Sequence, residues 1–114
     1  SDESRGLGDV YKRQVISAAK GGIEGFARSA AATYAKDNLR VNVIAPSIMD
    51  SNMSQKILSS DTAREVSKNM HPISKIGNSD DILPVVKWLL STDAQWVTGQ
   101  TIHVDGGLST VKPR

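Results

Sequence analysis

Residues 16–51, ISAAKGGIEGFARSAAATYAKDNLRVNVIAPSIMDS, decide the fold class of this chain. Over residues 15–36 the apolar side chains recur at spacings of three and four, and this period predicts an amphipathic helix. The run at residues 40–45 then predicts a short buried strand, which Pro46 ends because proline cannot donate a hydrogen bond to a ladder. A helix, a tight turn and a strand in this order indicate an α/β fold.

The predicted helix presents one apolar stripe. Its members are Ala19, Ile23, Phe26, Ala27, Ala30 and Tyr34. Gly21, Gly22 and Gly25 each lower the helix propensity by up to about 1 kcal/mol relative to alanine. Two interpretations of this glycine cluster stay open: loose packing of the helix, or a face of small residues for a partner subunit. Beyond the helix, Asn38 suits a left-handed cap.

The middle of the chain is more polar. After a loop over residues 47–53, residues 54–76 show a weak helical pattern and are predicted to form a mobile excursion, a feature typical of lids. The apolar positions of this excursion are Ile57, Leu58, Ala63, Val66 and Met70. His71 and His103 are expected to be surface residues, because neither has a metal-ligating partner at a suitable spacing.

A second helix is predicted from Asn78 or Ser79 onward. Asp80 and Asp81 favour its first turn through the helix dipole, while Pro84 is expected to distort its start. Its apolar stripe is Ile82, Val85, Val86, Leu89 and Leu90.

Residues 99–105 alternate as a last strand, and the turn at Gly106-Gly107, shaped by Asp105, closes it. A strand, a helical crossover and a second strand predict a right-handed parallel pair. Two strands are too few to cover the apolar faces of two helices. We therefore expect these two strands to be part of a larger sheet.

Composition excludes several classes of function. The 114 residues fit one domain and contain no cysteine, which excludes disulfides, thiolate zinc sites and cysteine nucleophiles and favours a reducing compartment. No apolar run approaches the roughly 20 residues of a membrane span. The net charge of +2 comes from scattered lysines and arginines rather than a basic face. We therefore expect a cytoplasmic protein that binds neither membrane nor nucleic acid.

Residues 1–14, SDESRGLGDVYKRQ, are polar and lack an apolar period. We interpret them as an appended leader, disordered or loosely helical, and residues 15–114 as the domain itself. Gly6-x-Gly8 resembles the start of a dinucleotide loop, but no strand precedes it and Tyr11 stands where a third glycine belongs. This motif is attributed to chance.

With these segments in place, residues 15–107 resemble the C-terminal half of a short-chain dehydrogenase/reductase. Four segments carry the resemblance in the family's order: SAAKGGIEGF at 17–26, RVNVIAP at 40–46, IG at 76–77, and TGQ at 98–100 leading to VDGG at 104–107. Residues 1–14 match nothing in the family. The resemblance implies a partial Rossmann-like, doubly wound fold, in which the last two parallel strands are flanked by helices.

The family transfers a hydride between NAD or NADP and a carbonyl or alcohol carbon of a small molecule. Lys20 matches the family's lysine, which holds the nicotinamide ribose and favours a tyrosinate one helical turn away. Ile16 occupies that tyrosine position and has no ionisable proton. Neither other tyrosine replaces it: on a continuous helix Tyr11 faces away from Lys20, and Tyr34 lies about 21 Å along the axis.

The loop after the first strand matches the family's nicotinamide-binding loop at Pro46, Ser47, Met49 and Ser51. Ser47 replaces a glycine and Ser51 keeps a hydroxyl. The family's glycine-rich loop and catalytic serine have no counterpart here, so we expect a fragment that is inactive by itself, from a parent that forms homo-oligomers. The alternative is a non-catalytic relative acting as an oligomerisation or binding module.

Overall fold

The computed structural model describes residues 2–51, 54–56 and 58–112, with the backbone alone for residues 2–10 and 12. Helices α1 (Asp2–Tyr34), α2 (Asp61–Met70) and α3 (Ser79–Leu90) accompany strands β1 (Val43–Pro46) and β2 (Thr101–Val104). The strands form a parallel two-stranded sheet, which confirms the predicted pair. Met53 and Ile57, at the end of the predicted loop and in the predicted excursion, lie outside the described residues.

The chain divides into two compact units. The first contains residues up to Val43 together with Thr98–Gln100, and the second contains Ile44–Val97 together with the residues from Thr101 onward.

Helix α1 dominates the first unit and begins at Asp2, thirteen residues before the predicted start. The backbone at Gly6 and Gly8 is helical, so these glycines form no phosphate-binding loop here. Of the predicted stripe only Ala27 is buried, together with Ala31, whereas Ile23 and Phe26 are 57% and 75% exposed. The predicted stripe is therefore mostly wrong, because small side chains rather than large ones occupy the buried face.

A short 3-10 helix, Ala35–Asp37, follows α1, and Asn38 then adopts the predicted left-handed conformation with φ of 58°. Residues 40–42 are not part of the strand, contrary to expectation. Side chains and backbone both hold this segment. Thr98 Oγ1 accepts from the Val41 N–H and Asn42 Oδ1 accepts from the Gln100 N–H, each at 3.1 Å, while the Val41 carbonyl accepts from the Gly99 N–H at 2.8 Å.

In the second unit, α2 covers ten of the 23 residues of the predicted excursion, residues 61–70. Ser60 caps this helix by accepting a hydrogen bond from the Ala63 N–H at 3.0 Å. This cap marks the start of the helix, which the weak apolar pattern did not. Val66 and Met70, two of the apolar positions of the predicted excursion, are 57% and 53% exposed. The buried face instead contains Ser67 and His71, one helical turn apart.

Helix α3 confirms the predicted cap. Asn78 Oδ1 accepts from the Asp80 N–H, while Asp81 accepts from the Asn78 N–H, which makes a capping box. Pro84 is the sixth residue of α3, beyond the first turn, so the helix forgoes the bond from that position to the Asp80 carbonyl. Leu89 is buried as predicted, but Leu90 is 81% exposed.

Large apolar side chains remain exposed in both units. Phe26 in the first unit and Trp96 in the second are 75% and 99% exposed. The described core consists of Ala27, Ala31, Leu58, Leu89 and Ala94. As expected from the strand count, two strands leave much of the helices' apolar surface uncovered.

Candidate functional site

The loop after β1 has a defined shape because Ser54 lies buried beneath it, with 8% of its surface exposed. Ser54 Oγ accepts a hydrogen bond from the Ser51 N–H at 3.0 Å. The same hydroxyl donates to the Met49 carbonyl oxygen. This one side chain therefore fixes the backbone at two of the predicted cofactor-binding positions, Met49 and Ser51.

A second anchor ties the loop to the segment that precedes α3. Met49 forms an isolated parallel bridge with Gly77, and the Asp50 N–H donates to the Gly77 carbonyl at 2.8 Å. The Asp50 carboxylate also pairs with Arg64 of α2 at 2.7 Å. That ion pair is partly exposed and adds little stability, so the backbone contacts to Gly77 define the position of the loop.

Ser47, at the start of the loop, bonds to a buried histidine. Ser47 Oγ lies 2.7 Å from His71 Nε2, and His71 Nδ1 lies 2.6 Å from the Ser67 carbonyl oxygen. Only 6% of His71 is exposed, so the expectation of a surface residue is wrong. The imidazole enters the interior because both of its nitrogens find polar partners there.

A cleft of about 240 Å³ opens beside Ser47 and His71. Its lining is Ser47, Met49, His71, Ile73, Lys75, Gly77, Asp81, Ile82, Val104, Asp105 and Gly106. The Lys75 ammonium donates to the Asp81 carboxylate at 2.8 Å, and the Asn78 N–H donates to it at 2.9 Å. These two bonds, the lysine's first, hold the pKa of Asp81 below its usual value.

Asp105 closes the far end of β2 and shapes the glycine turn, as predicted. Its two oxygens accept from the Gly107 N–H at 3.0 Å and the Ser109 N–H at 3.1 Å. Gly106 and Gly107 have φ of 61° and 91°, which glycine adopts without strain. A hydrogen bond from the Ser109 side chain and the two backbone N–H groups lower the pKa of Asp105, although burial opposes them.

Lys20 and Ile16 lie on α1 in the first unit, one helical turn apart and both exposed. Because α1 is continuous from Asp2, Tyr11 does stand on the opposite side of the helix from Lys20. The four loop positions Pro46, Ser47, Met49 and Ser51 fall together in the second unit. Lys20 belongs to the other unit, so its approach to the loop stays a prediction.

Comparison with known proteins identifies the family. The family model described as enoyl-(acyl carrier protein) reductase matches residues 3–109. The chain belongs to the short-chain dehydrogenase/reductase family. The match begins inside residues 1–14, so the expectation that these residues match nothing in the family is wrong. Their interpretation as an appended leader stays a prediction.

Relatives of this family member include nodulation protein G of a Rhizobium species, 38% identical over 82% of this chain and 38% of that protein. The 2-(S)-hydroxypropyl-CoM dehydrogenase 3 of Xanthobacter autotrophicus is 36% identical over 93% of this chain and 43% of its own length. The solved structure of a 4-hydroxyisoleucine dehydrogenase complexed with NADH superposes with a TM-score of 0.78 at 26% identity, over 83% of this chain and 39% of that one. The chain thus spans about two-fifths of these relatives' lengths.

The described residues of this dehydrogenase/reductase chain offer neither a cluster of metal ligands nor a membrane-spanning helix. No cluster of three or more His, Cys, Asp or Glu residues that could hold a metal ion occurs there. Across the same residues, no helix has the length and apolar character that a bilayer crossing requires.

Proposed function

We propose that this chain supplies one side of the nicotinamide site in an NAD(P)-dependent oxidoreductase acting on a small carbonyl or alcohol substrate. The observation that carries the proposal is the loop after β1, which Ser54 and Gly77 hold at the carboxyl end of a parallel strand. Ligands of open α/β sheets bind outside such strand ends. The structural relative complexed with NADH supports the same cofactor class.

The residues fit part of a nicotinamide cofactor. Lys20 makes no ion pair among the described residues, so its ammonium is available to donate to ribose hydroxyls. Pro46, Ser47, Met49 and Ser51 would contact the nicotinamide end, with the exposed Ser51 offering a hydroxyl. The bound nicotinamide would supply the hydride. The choice between NAD and NADP depends on residues outside this part of the family's fold.

Proton transfer is the step at which this chain departs from its family. Lys20 can stabilise negative charge on a neighbouring oxygen, but Ile16 can neither give nor take a proton. The Ile16 side chain is 55% exposed. We therefore propose that the chain by itself is inactive. We also propose that it binds nicotinamide cofactors weakly, because the family's glycine-rich loop has no counterpart in these residues.

Calorimetry on the purified 114-residue chain tests the binding proposal. We expect no saturable heat with NADH or NADPH at micromolar concentrations, and a low-micromolar dissociation constant would refute the proposed weakness. Joining the chain to the N-terminal half of a close relative and following nicotinamide absorbance tests the oxidoreductase itself. We expect the fusion to transfer hydride, and we expect Lys20→Ala to lower that rate at least about tenfold. This result would support the role of Lys20.

The second candidate is a non-catalytic relative that mediates self-association. Ile16 favours it, and so does the open glycine face. A Cβ atom added at Gly21, Gly22 or Gly25 would meet no atom within 4 Å outside its chain neighbours and the helix's own backbone. Light scattering tests this reading. An oligomer that Gly22→Leu disperses would support association through this face, while a monodisperse monomer would refute it.

We also propose a cytoplasmic location, with neither nucleic acid nor membrane as a partner. The absence of cysteine and the scattered basic residues support this. Fractionation of cells that express the natural protein provides the test, and recovery in the membrane fraction would contradict it.

A further inference from the structure

The hydrogen bonds of His71 fix which of its nitrogens carries the proton. The Ser67 carbonyl oxygen, 2.6 Å from Nδ1, can only accept, so Nδ1 must be the donor. In the neutral imidazole Nε2 is then the acceptor. Ser47 Oγ, 2.7 Å from Nε2, must therefore donate its hydrogen to His71.

This arrangement combines the three parts of an activated hydroxyl. Ser47 supplies the oxygen, His71 supplies a base within hydrogen-bond reach, and the Ser67 carbonyl orients the base from its other side. All three residues belong to one compact unit of the chain. With its hydrogen directed at Nε2, the Ser47 oxygen keeps its lone pairs for another atom.

A ligand can reach the Ser47 oxygen. This access distinguishes the Ser47–His71 pair from a buried histidine whose hydrogen bonds serve only to stabilise the fold. His71 is buried, whereas Ser47 is only half-buried, and both line the cleft of about 240 Å³. Met49, Ile82 and Val104 give the cleft apolar walls. This volume lies below the roughly 300 Å³ at which sites for drug-sized ligands begin, so it suits a short acyl chain.

We propose that Ser47 is a nucleophilic serine, activated by His71, that takes a short acyl group from an activated ester. Ser47 Oγ bonds to the acyl carbon as the bond from that carbon to the leaving alcohol oxygen breaks. The hydroxyl proton passes to His71 Nε2 and then to the leaving group. Water releases the acyl group as a carboxylic acid in a second step. The reaction requires no nicotinamide, but it uses Ser47, which the proposed oxidoreductase function places against the nicotinamide end of the cofactor.

The probe is p-nitrophenyl acetate, added to the unmodified 114-residue chain. Peptide mass spectrometry locates the acetyl groups, and hydroxylamine separates serine esters, which it cleaves, from lysine amides, which it leaves. Ser59 is the internal reference, because its exposed hydroxyl donates to the Lys56 carbonyl and has no imidazole partner. General-base assistance is worth about 100-fold or more, so Ser47 should react at least about 100-fold faster than Ser59.

Two variants identify the base. His71→Gln keeps an acceptor near Nε2 without its basicity, and should lower the Ser47 rate to that of Ser59. Ser59→Ala is the matched control and should leave the Ser47 rate unchanged. Equal rates at Ser47 and Ser59 in the unmodified chain would overturn the proposal, and this comparison stands even if His71→Gln does not fold. A folded His71→Gln variant with an undiminished Ser47 rate would overturn it equally.

Discussion

Asp105→Asn should destabilise the chain at neutral pH through the turn that follows β2. The buried carboxylate accepts from the Gly107 and Ser109 N–H groups at 3.0 and 3.1 Å. Hydrogen bonds to charged groups contribute about 1.5–3 kcal/mol each. Asparagine can keep one acceptor but turns an NH₂ group toward the other N–H. We expect a loss of about 2 kcal/mol, roughly 30-fold in the folding equilibrium constant.

The effect of this substitution should depend on pH in a defined direction. The pKa of Asp105 is lower in the folded chain than its ordinary value of about 3.9. Its stabilising contribution is therefore present above about pH 4 and is lost as the pH falls through the lower, folded-state pKa. Protonated Asp105 resembles asparagine, so the difference between variant and parent should shrink in acid.

Urea unfolding followed by far-UV circular dichroism, at pH 7 and near pH 2.5, measures both effects. Asp93→Asn is the matched control because it removes the same charge from an exposed position in a short 3-10 helix. If Asp105→Asn lowers the free energy of unfolding by less than about 0.5 kcal/mol at pH 7, the reasoning from hydrogen bonds is refuted, since surface substitutions have effects of that size. If Asp105→Asn lowers the free energy of unfolding equally at both pH values, the reasoning from charge is refuted.

Three further substitutions test the site and its supports. Ser54→Ala leaves the Ser51 N–H without its acceptor and should cost about 1–3 kcal/mol in urea unfolding, whereas Ser59→Ala should cost less than about 0.5 kcal/mol. Asn78→Ala removes the side-chain cap of α3 and should cost about 1 kcal/mol; an unchanged unfolding midpoint would contradict the capping geometry. In a fusion with the N-terminal half of a relative, Ile16→Tyr should raise hydride transfer by at least about 100-fold if only the proton donor is lacking. Activity that only the tyrosine creates would favour the non-catalytic hypothesis, and no gain would contradict loss of the proton donor as the cause of inactivity.

Local rules predicted the elements whose signals are short-range. The cap at Asn78, the left-handed Asn38 and the Gly106-Gly107 turn each depend on a few neighbouring residues, and the structure confirms all three. The parallel pairing of β1 with β2 also followed from the order of elements along the chain. The two caps and the turn were predictable because their hydrogen bonds join residues close in sequence.

Burial was harder to predict, because apolar character alone does not identify the face that a helix buries. Ala63 and Ser67 of α2 and His71, the residue just after it, follow one another at spacings of four, while the more apolar Val66 and Met70 are exposed. Small side chains at 63 and 67 leave room beside the helix, and an imidazole with two polar partners can be buried. Small residues at spacings of four before a histidine are the sequence pattern from which the burial of His71 could have been predicted.

The Ser47–His71 bond also restricts what the loop after β1 can recognise. By its resemblance to the family's loop, Ser47 stands where a glycine is expected, and at a glycine a ligand would meet only backbone. Here it meets a hydroxyl whose hydrogen is committed to His71 Nε2. The Ser47 oxygen can then accept but not donate, so an amide NH₂ or a protonated hydroxyl is favoured beside it, and a carboxylate or phosphate oxygen is disfavoured. The bond that prepares Ser47 for attack on an acyl carbon therefore also selects hydrogen-bond donors at the same position.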